Sequence, residues 1–174
     1  MGCHLINSPE QYKACHWFEG WYHLIEDMTP KSKIIKRAEV RPMMDEVLSF
    51  MKENNCGVIL KDQVKSLKHN WKTSCFIPAD ANVLDVAMII SSFVQTKEEY
   101  NDFQGDMVTR QFVDLKMIGK HPKSDFMMAE EYRSFVKNGK VIFTDSQWKA
   151  SIKYEWSDIP YEFIDNVAKK IYEG

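Results

Sequence analysis

Residues Thr109–Trp148 read TRQFVDLKMIGKHPKSDFMMAEEYRSFVKNGKVIFTDSQW, and their reading decides the fold. The spacing predicts three strands. One is Met107–Leu115, and two more form a hairpin closed at Asn138-Gly139, the dipeptide that suits a turn with both central residues at positive φ. Residues two apart on a strand share a face. Glu131, Arg133 and Phe135 therefore point one way, and Tyr132, Ser134 and Val136 the other. Arg110 lies between Val108 and Phe112 on one face of its own strand. An arginine turned inward on a sheet is costly unless it meets an anion, so this segment reads as the wall of a phosphate site.

Working outward, Ser8-Pro9-Glu10-Gln11 is a helix start, with Ser8 as cap and Gln11 completing a capping box. The aromatic run around Trp17, Trp21 and Tyr22 reads as packing. A second helix opens at Arg41-Pro42, with Met43, Met44, Val47, Leu48 and Met51 as its apolar stripe. Val58-Ile59-Leu60 is a short buried strand that delivers Lys61 and Asp62, and Cys75-Phe76-Ile77 is another strand piece. Ser66–Ser74 lies between them as a polar loop. Asp80 or Asn82 caps an apolar helix expected to face the core on more than one side. Lys120–Ser124 reads as a loop. Asp158 is expected to cap a last helix, with Pro160 in its first turn, and Gly174 to end it. Interspersed helices and an antiparallel hairpin argue α+β, with mixed or antiparallel sheets packed against helices. The expected parts are an N-terminal segment over 1–40, a small subdomain over 41–106, and a hinge, hairpin and C-terminal helix over 107–174.

The chain has 174 residues and a net charge of −2, so the global electrostatic footprint of a nucleic-acid binder is missing. Lys65, Lys68, His69, Trp71 and Lys72 mix cations with an aromatic, only a weak single-strand signal. There is no signal-peptide pattern, no run of ~18 apolar residues, and Ile6 breaks a myristoylation pattern. A cytoplasmic protein without membrane contact is the expectation. Cys3, Cys15, Cys56 and Cys75 are irregularly spaced and read as reduced thiols, mostly small core residues. Cys3-His4 and Cys15-His16 repeat a pair, but neither C-x-x-C nor H-x-x-x-H occurs to support zinc.

Two constellations carry chemistry. Lys61, Lys65 and Ser66, followed by Lys68, His69 and Lys72, form either a triphosphate cradle or a solvated basic loop. The glycines of a Walker A loop are missing, and so is K-x-D-G. Glu131 and Arg133 place a carboxylate and a guanidinium on one strand face. They serve either Mg²⁺ and a transferred phosphoryl group, or a plain ion pair on a half-exposed sheet.

VILKDQVKS, RQFVDL and EEYRSFVKNGKVI, from about Ser8 to the end of the chain, resemble the ATP-grasp superfamily. The similarity is to the clade whose signature is two arginines and a lysine, often found in phage and bacterial proteins. The resemblance implies ATP and Mg²⁺. It implies an ATP-dependent ligase that activates a small-molecule or peptide carboxylate as an acyl phosphate for attack by an amine or similar nucleophile. Lys61 would be the phosphate-contacting lysine, with Lys65 and Ser66 in the loop over the phosphates and Arg110 the first signature arginine. Phe112, Val113 and Asp114 would lie in the hinge past adenine. Glu131 would be the acidic metal ligand and Arg133 the second arginine, catalytic together with Lys61. Lys33, Lys36 and Arg37 are candidates for the superfamily's other lysine. Its last strands carry an aspartate and a Glu-x-Asn pair that hold Mg²⁺, and this sequence stops at Gly174. The expectation is therefore a fragment, a truncated gene product or one half of a split protein that forms a homodimer or takes a complementing chain, with a non-catalytic nucleotide-binding or protein-interaction module as the alternative to the ligase.

Overall fold

The computed structural model describes residues 7–122, 127–148 and 152–174. Of the sequence expectations, Cys3-His4 and the last two residues of the Lys120–Ser124 loop lie outside these residues, as does the side chain of His69. The chain divides into two compact units, the first ending at Phe112 and the second starting at Val113.

The first unit begins with α1 (Pro9–His16), capped as its sequence dictates. Ser8 Oγ accepts from the Gln11 N–H, and the Gln11 side chain returns the bond to the Ser8 N–H. A short turn, α2 (Phe18–Trp21), leads to β1 (Ser32–Ile35), a strand the sequence reading did not anticipate. Then come α3 (Val40–Asn54), β2 (Val58–Asp62), β3 (Phe76–Ile77), α4 (Val83–Glu99) and β4 (Met107–Gln111). The four strands form one antiparallel sheet in the order β1-β4-β2-β3. β2 alternates strictly: Val58, Leu60 and Asp62 are buried, and Ile59 and Lys61 are half-buried. The buried set joins Ile35, Met107 and Ile77 beneath α3 (Met43, Val47, Phe50) and α4 (Val86, Ile90, Phe93). Each such side chain, fully buried, is worth roughly 1.5–3 kcal/mol. This core holds the sheet rigid and leaves its other face for the chemistry below.

The second unit contains β5 (Met117–Lys120) paired with β6 (Met127–Ala129), β7 (Tyr132–Lys137) paired with β8 (Lys140–Ser146), and α5 (Tyr161–Glu173). The β7–β8 turn is the one expected, with Asn138 at φ 51° and Gly139 at φ 70°. A Cβ on Gly139 would stand 2.8 Å from the Tyr172 ring. Glu130 ties the unit together. It pairs with Lys116 at 3.0 Å and accepts from the Ser157 N–H at 2.6 Å and the Ser157 hydroxyl at 3.0 Å. The Ser157 N–H, helped by Lys116, pulls this carboxyl from 4.5 down to about 2. A depressed carboxyl contributes stability above its unfolded value and loses it as pH falls through the folded one. Melting temperature should therefore drop more steeply in the wild type than in Glu130→Gln between pH 4.5 and about 2. Parallel pH profiles of the two proteins would refute this role.

Several expectations are corrected. β4 ends at Gln111 instead of Leu115, because β2 offers its last ladder bond to it through Gly57 O, which accepts from Phe112 N at 2.8 Å. β4 consequently belongs to the first unit, and 1–40 is no separate part, since β1 pairs with β4. α4 is buried on one side only: Val83, Leu84 and Met88 are exposed. Asn82, not Asp80, caps it. The last helix starts at Tyr161 with Pro160 at its cap position and no side-chain cap from Asp158. The 66–74 loop is ordered as a 3₁₀ turn (Lys68–Asn70) and a π-helical turn (Trp71–Cys75). Cys75 is core, whereas Cys15 is exposed. Among the described residues no helix is long and apolar enough to cross a membrane.

Candidate nucleotide-binding face

The sheet face opposite the core is built by register. Ile59 lies opposite both Arg110 and Phe76, Lys61 opposite Val108, and Ser32 opposite Arg110. Opposed residues of an antiparallel pair share a face. Lys61 and Arg110, distant in sequence, therefore become diagonal neighbours on it. The N-terminal segment lies against this face. Lys61 Nζ stands 5.1 Å from the Phe18 ring, Arg110 donates to Thr29 Oγ1 at 2.5 Å, and Tyr22 OH accepts from the Ser32 N–H at 2.8 Å.

Neither Lys61 nor Arg110 forms an ion pair among the described residues. Burial, with Arg110 as the next cause, pushes Lys61 down from 10.5 to about 8. Burial likewise lowers Arg110. Two half-buried cations side by side raise one another's cost of charging, which an anion on this face would offset. Their titration has a sign. Lys61 is charged below about pH 8 and neutral above it. An anion on this face should therefore bind more weakly at pH 9.5 than at pH 7, while in Lys61→Arg, whose guanidinium stays charged, affinity should stay level. The ligand-free protein should respond oppositely. The unfolded chain keeps the lysine proton up to 10.5, so this group's contribution to stability rises with pH from about 8 to 10.5. Titrations at both pH values check it, and equal pH dependence in wild type and Lys61→Arg would refute it.

The loop after Lys61 is tightly folded. Asp62, wholly buried, accepts from the N–H groups of Val64 (2.7 Å) and Lys65 (2.6 Å) through one oxygen. Through the other it accepts from Gln104 N–H (3.1 Å) and meets Lys97 Nζ at 2.9 Å. Lys97, 1% exposed, reaches in from α4 and also donates to Asp102 O at 3.3 Å. This turn places Ser66 opposite Lys61 in a β-bridge and points Lys65 outward, 3.7 Å from the Asp102 carboxylate. Sequence reasoning missed Lys97, because a lysine on a helix ordinarily reads as solvated. The β2 alternation that buries position 62 is the signal that could have exposed its partner.

At the other end of the face Phe112 packs on Phe76 (centroids 4.7 Å) and Trp71 (6.1 Å), and Trp71 stacks on Phe76 at 5.3 Å. Phe112 stands opposite Gly57, four residues before Lys61, so the aromatic and cationic ends are about 13 Å apart at ~3.3 Å per residue. Val113 and Asp114 follow as exposed coil in the second unit. Arg133 is exposed and lies opposite Asp145 in the β7–β8 ladder. Of the adjacent acids, Glu130 is consumed by Lys116 and Ser157, whereas the Glu131 carboxylate makes no bond among the described residues. Among these residues no three His, Cys, Asp or Glu side chains converge. Mg²⁺ needs no such cage, being held by one or two carboxylates and phosphate oxygens, and Glu131 fits that demand. Of the other lysine candidates, Lys33 pairs with Glu46 at 2.5 Å, and Arg37 is engaged by Glu98.

The architecture is an α+β fold whose sheet carries two half-buried cations, Lys61 and Arg110, as diagonal neighbours on the face opposite the core. The chain belongs to the ATP-grasp family: residues 52–170 match the model of an ATP-grasp domain, family 3 of the clade named for its two arginines and a lysine. The fold is also similar to that of Cdc123 from Schizosaccharomyces pombe. The C-terminally truncated form gives a TM-score of 0.58 at 19% identity, covering 97% of this chain and 77% of that one. Another structure of Cdc123 gives 0.54 at 18% identity over the same shares. At such identities the likeness is one of fold. No curated protein sequence gives a significant match.

Proposed function

We propose that this chain binds ATP on the Lys61–Arg110 face as part of a carboxylate–nucleophile ligase that works through an acyl phosphate. The observation that carries the reading is the pair of half-buried cations that form no ion pair among the described residues, with aromatic rings at the far end of the same face. The rings suit adenine, with the hinge residues Phe112, Val113 and Asp114 beside it. Arg110 and Lys61 take the phosphates, and Lys65 and Ser66 close over them. By the family pattern Arg133 would add a second guanidinium, and Glu131 would hold Mg²⁺ together with the nucleotide's own oxygens. The metal would supply neutralisation of the phosphate charge. In the reaction a carboxylate oxygen of the acid attacks the terminal phosphorus. The bond to the bridging oxygen breaks, and ADP leaves with the electron pair. An amine then attacks the acyl carbon, phosphate leaves with the C–O electron pair, and the nitrogen loses a proton. Lys61 and Arg133 oppose the charge that builds on the transferred group.

The test is thermal unfolding with ATP and Mg²⁺, with ADP and GTP as controls, followed by an assay of ADP formation with added acids and amines. A ligand at ~100 times its dissociation constant stabilises by roughly 2.7 kcal/mol, several degrees in a chain of this size. Absence of any shift with ATP removes the reading. Binding without ADP formation under any acid tried would reduce it to a nucleotide-binding module.

A further inference from the structure

The ground between Lys61 and Arg110 is covered. Val108 faces Lys61 across the ladder and stands two residues before Arg110 on the same face, yet it is wholly buried. The cover is the chain between α1 and β1, whose Phe18 is wholly buried as well. That chain is three single turns: α2, Tyr22–Leu24 and Glu26–Met28. Single turns hold poorly by themselves, because each carries the cost of nucleation without propagation. The segment is held by what it touches. Its start is pinned to the buried Gln63: the Phe18 N–H donates to Gln63 O at 2.8 Å, and the Glu19 N–H to Gln63 Oε1 at 3.0 Å. Its middle is tied to β1 through Tyr22, whose hydroxyl accepts from the Ser32 N–H. α1, just upstream, buries no residue and offers the segment no second core.

Both cations meet this segment, and each meets a neutral group of it. The Lys61 ammonium lies 5.1 Å from the Phe18 ring, and Arg110 donates to the Thr29 hydroxyl at 2.5 Å. A ring face and a hydroxyl hold a cation less strongly than a phosphate oxygen, whose bond is charge-assisted on both sides. A phosphate that bridges the two cations must stand over Val108, where the segment now lies. We infer that Trp17–Thr29 is a self-inhibitory strap. It closes on the cation pair in the ligand-free chain and lifts when an anion takes Lys61 and Arg110 from Phe18 and Thr29. The strap then sets the apparent affinity, since a site that must first open binds more weakly in proportion to the fraction that is open. That the anion is a nucleotide rests on the reading proposed above, whereas the cover over the cations does not.

The test compares the full chain with Tyr22→Phe and Thr29→Val, using ATP and inorganic triphosphate as ligands. Each substitution keeps the bulk of the side chain and removes one hydroxyl that ties the strap down. Without ligand, amide exchange at Phe18 and Glu19 should run about three- to tenfold faster in the variants, the range for loss of one hydrogen bond, while the amides of α3 keep their rates. Both ligands should bind the variants more tightly by about the same factor. In the wild type, which needs no variant to fold, either ligand should speed exchange at Phe18 and Glu19. Slower exchange with ligand, or weaker binding by the variants, makes the segment a wall of the site and overturns the strap. So does ATP binding that neither variant changes, or exchange that rises equally in α3. If triphosphate shows the variant dependence and ATP binds no more tightly than triphosphate, the strap stands and the nucleotide reading falls. If neither ligand binds any of the three proteins, both fall.

Discussion

Lys61→Met should abolish most nucleotide binding without unfolding the protein. A charge-assisted bond to phosphate is worth about 1.5–3 kcal/mol, so ATP affinity should fall by roughly ten- to a hundredfold. Methionine keeps the apolar stem that lies by Phe18 and removes only the ammonium. In the ligand-free protein that ammonium is disfavoured by burial and by Arg110, so its loss should leave the melting temperature unchanged or slightly raised. The two readouts move apart: ATP no longer raises the melting temperature, and the baseline does not fall. A variant that still binds ATP within threefold of wild type would remove Lys61 from the site. One that loses binding only because it melts would make the lysine structural.

The second large effect lies one residue on, with the opposite pattern. Asp62→Asn replaces an oxygen with an NH₂ group among four donors: the N–H groups of Val64, Lys65 and Gln104, and Lys97 Nζ. One amide oxygen cannot serve both sets, and the buried Lys97 charge is left with only its longer contacts to Asp102, 3.3 Å to the carbonyl and 3.7 Å to the carboxylate. Breaking a buried pair in this way costs about 3–5 kcal/mol, on the order of 10 °C in melting temperature. Lys97→Met should cost less, because the Asp62 carboxylate keeps its three backbone donors. Amide exchange at Val64 and Lys65 should accelerate in Asp62→Asn, since their hydrogens lose their acceptor. Melting within about 1 kcal/mol of wild type, or Lys97→Met as damaging as Asp62→Asn, would show that the pair does not anchor the loop.

Much of the local structure was legible because its causes are local. The Ser8–Gln11 capping box, the Asn138-Gly139 turn and the Asn82 cap depend on residues within a few positions of one another. The alternation about Arg110 set it beside Phe112, whereas 58–60, read as buried throughout, alternates in the structure and leaves Ile59 and Lys61 half-buried. The misreadings share another cause. β1 is not legible because its four residues, SKII, acquire strand character only by pairing with β4. β4 is shorter than its β-prone sequence implies because its length is set by pairing with β2. α4 looked apolar all round, yet a helix buries only the side that meets a sheet, and Val83, Leu84 and Met88 face away from it.

The sequence by itself determined which residue types were available and that Arg110 and Phe112 share a face, whereas Glu131, read as sharing a strand face with Arg133, lies just outside β7. The antiparallel register of β2 on β4 decided that Lys61 and Arg110 meet, a pairing between segments some fifty positions apart that no local pattern encodes. Packing of α4 on the sheet decided that Lys97 enters the core as the partner of Asp62. A lone helical lysine is cheap to solvate and costly to bury, so its burial is readable only once the buried carboxylate that receives it is in place.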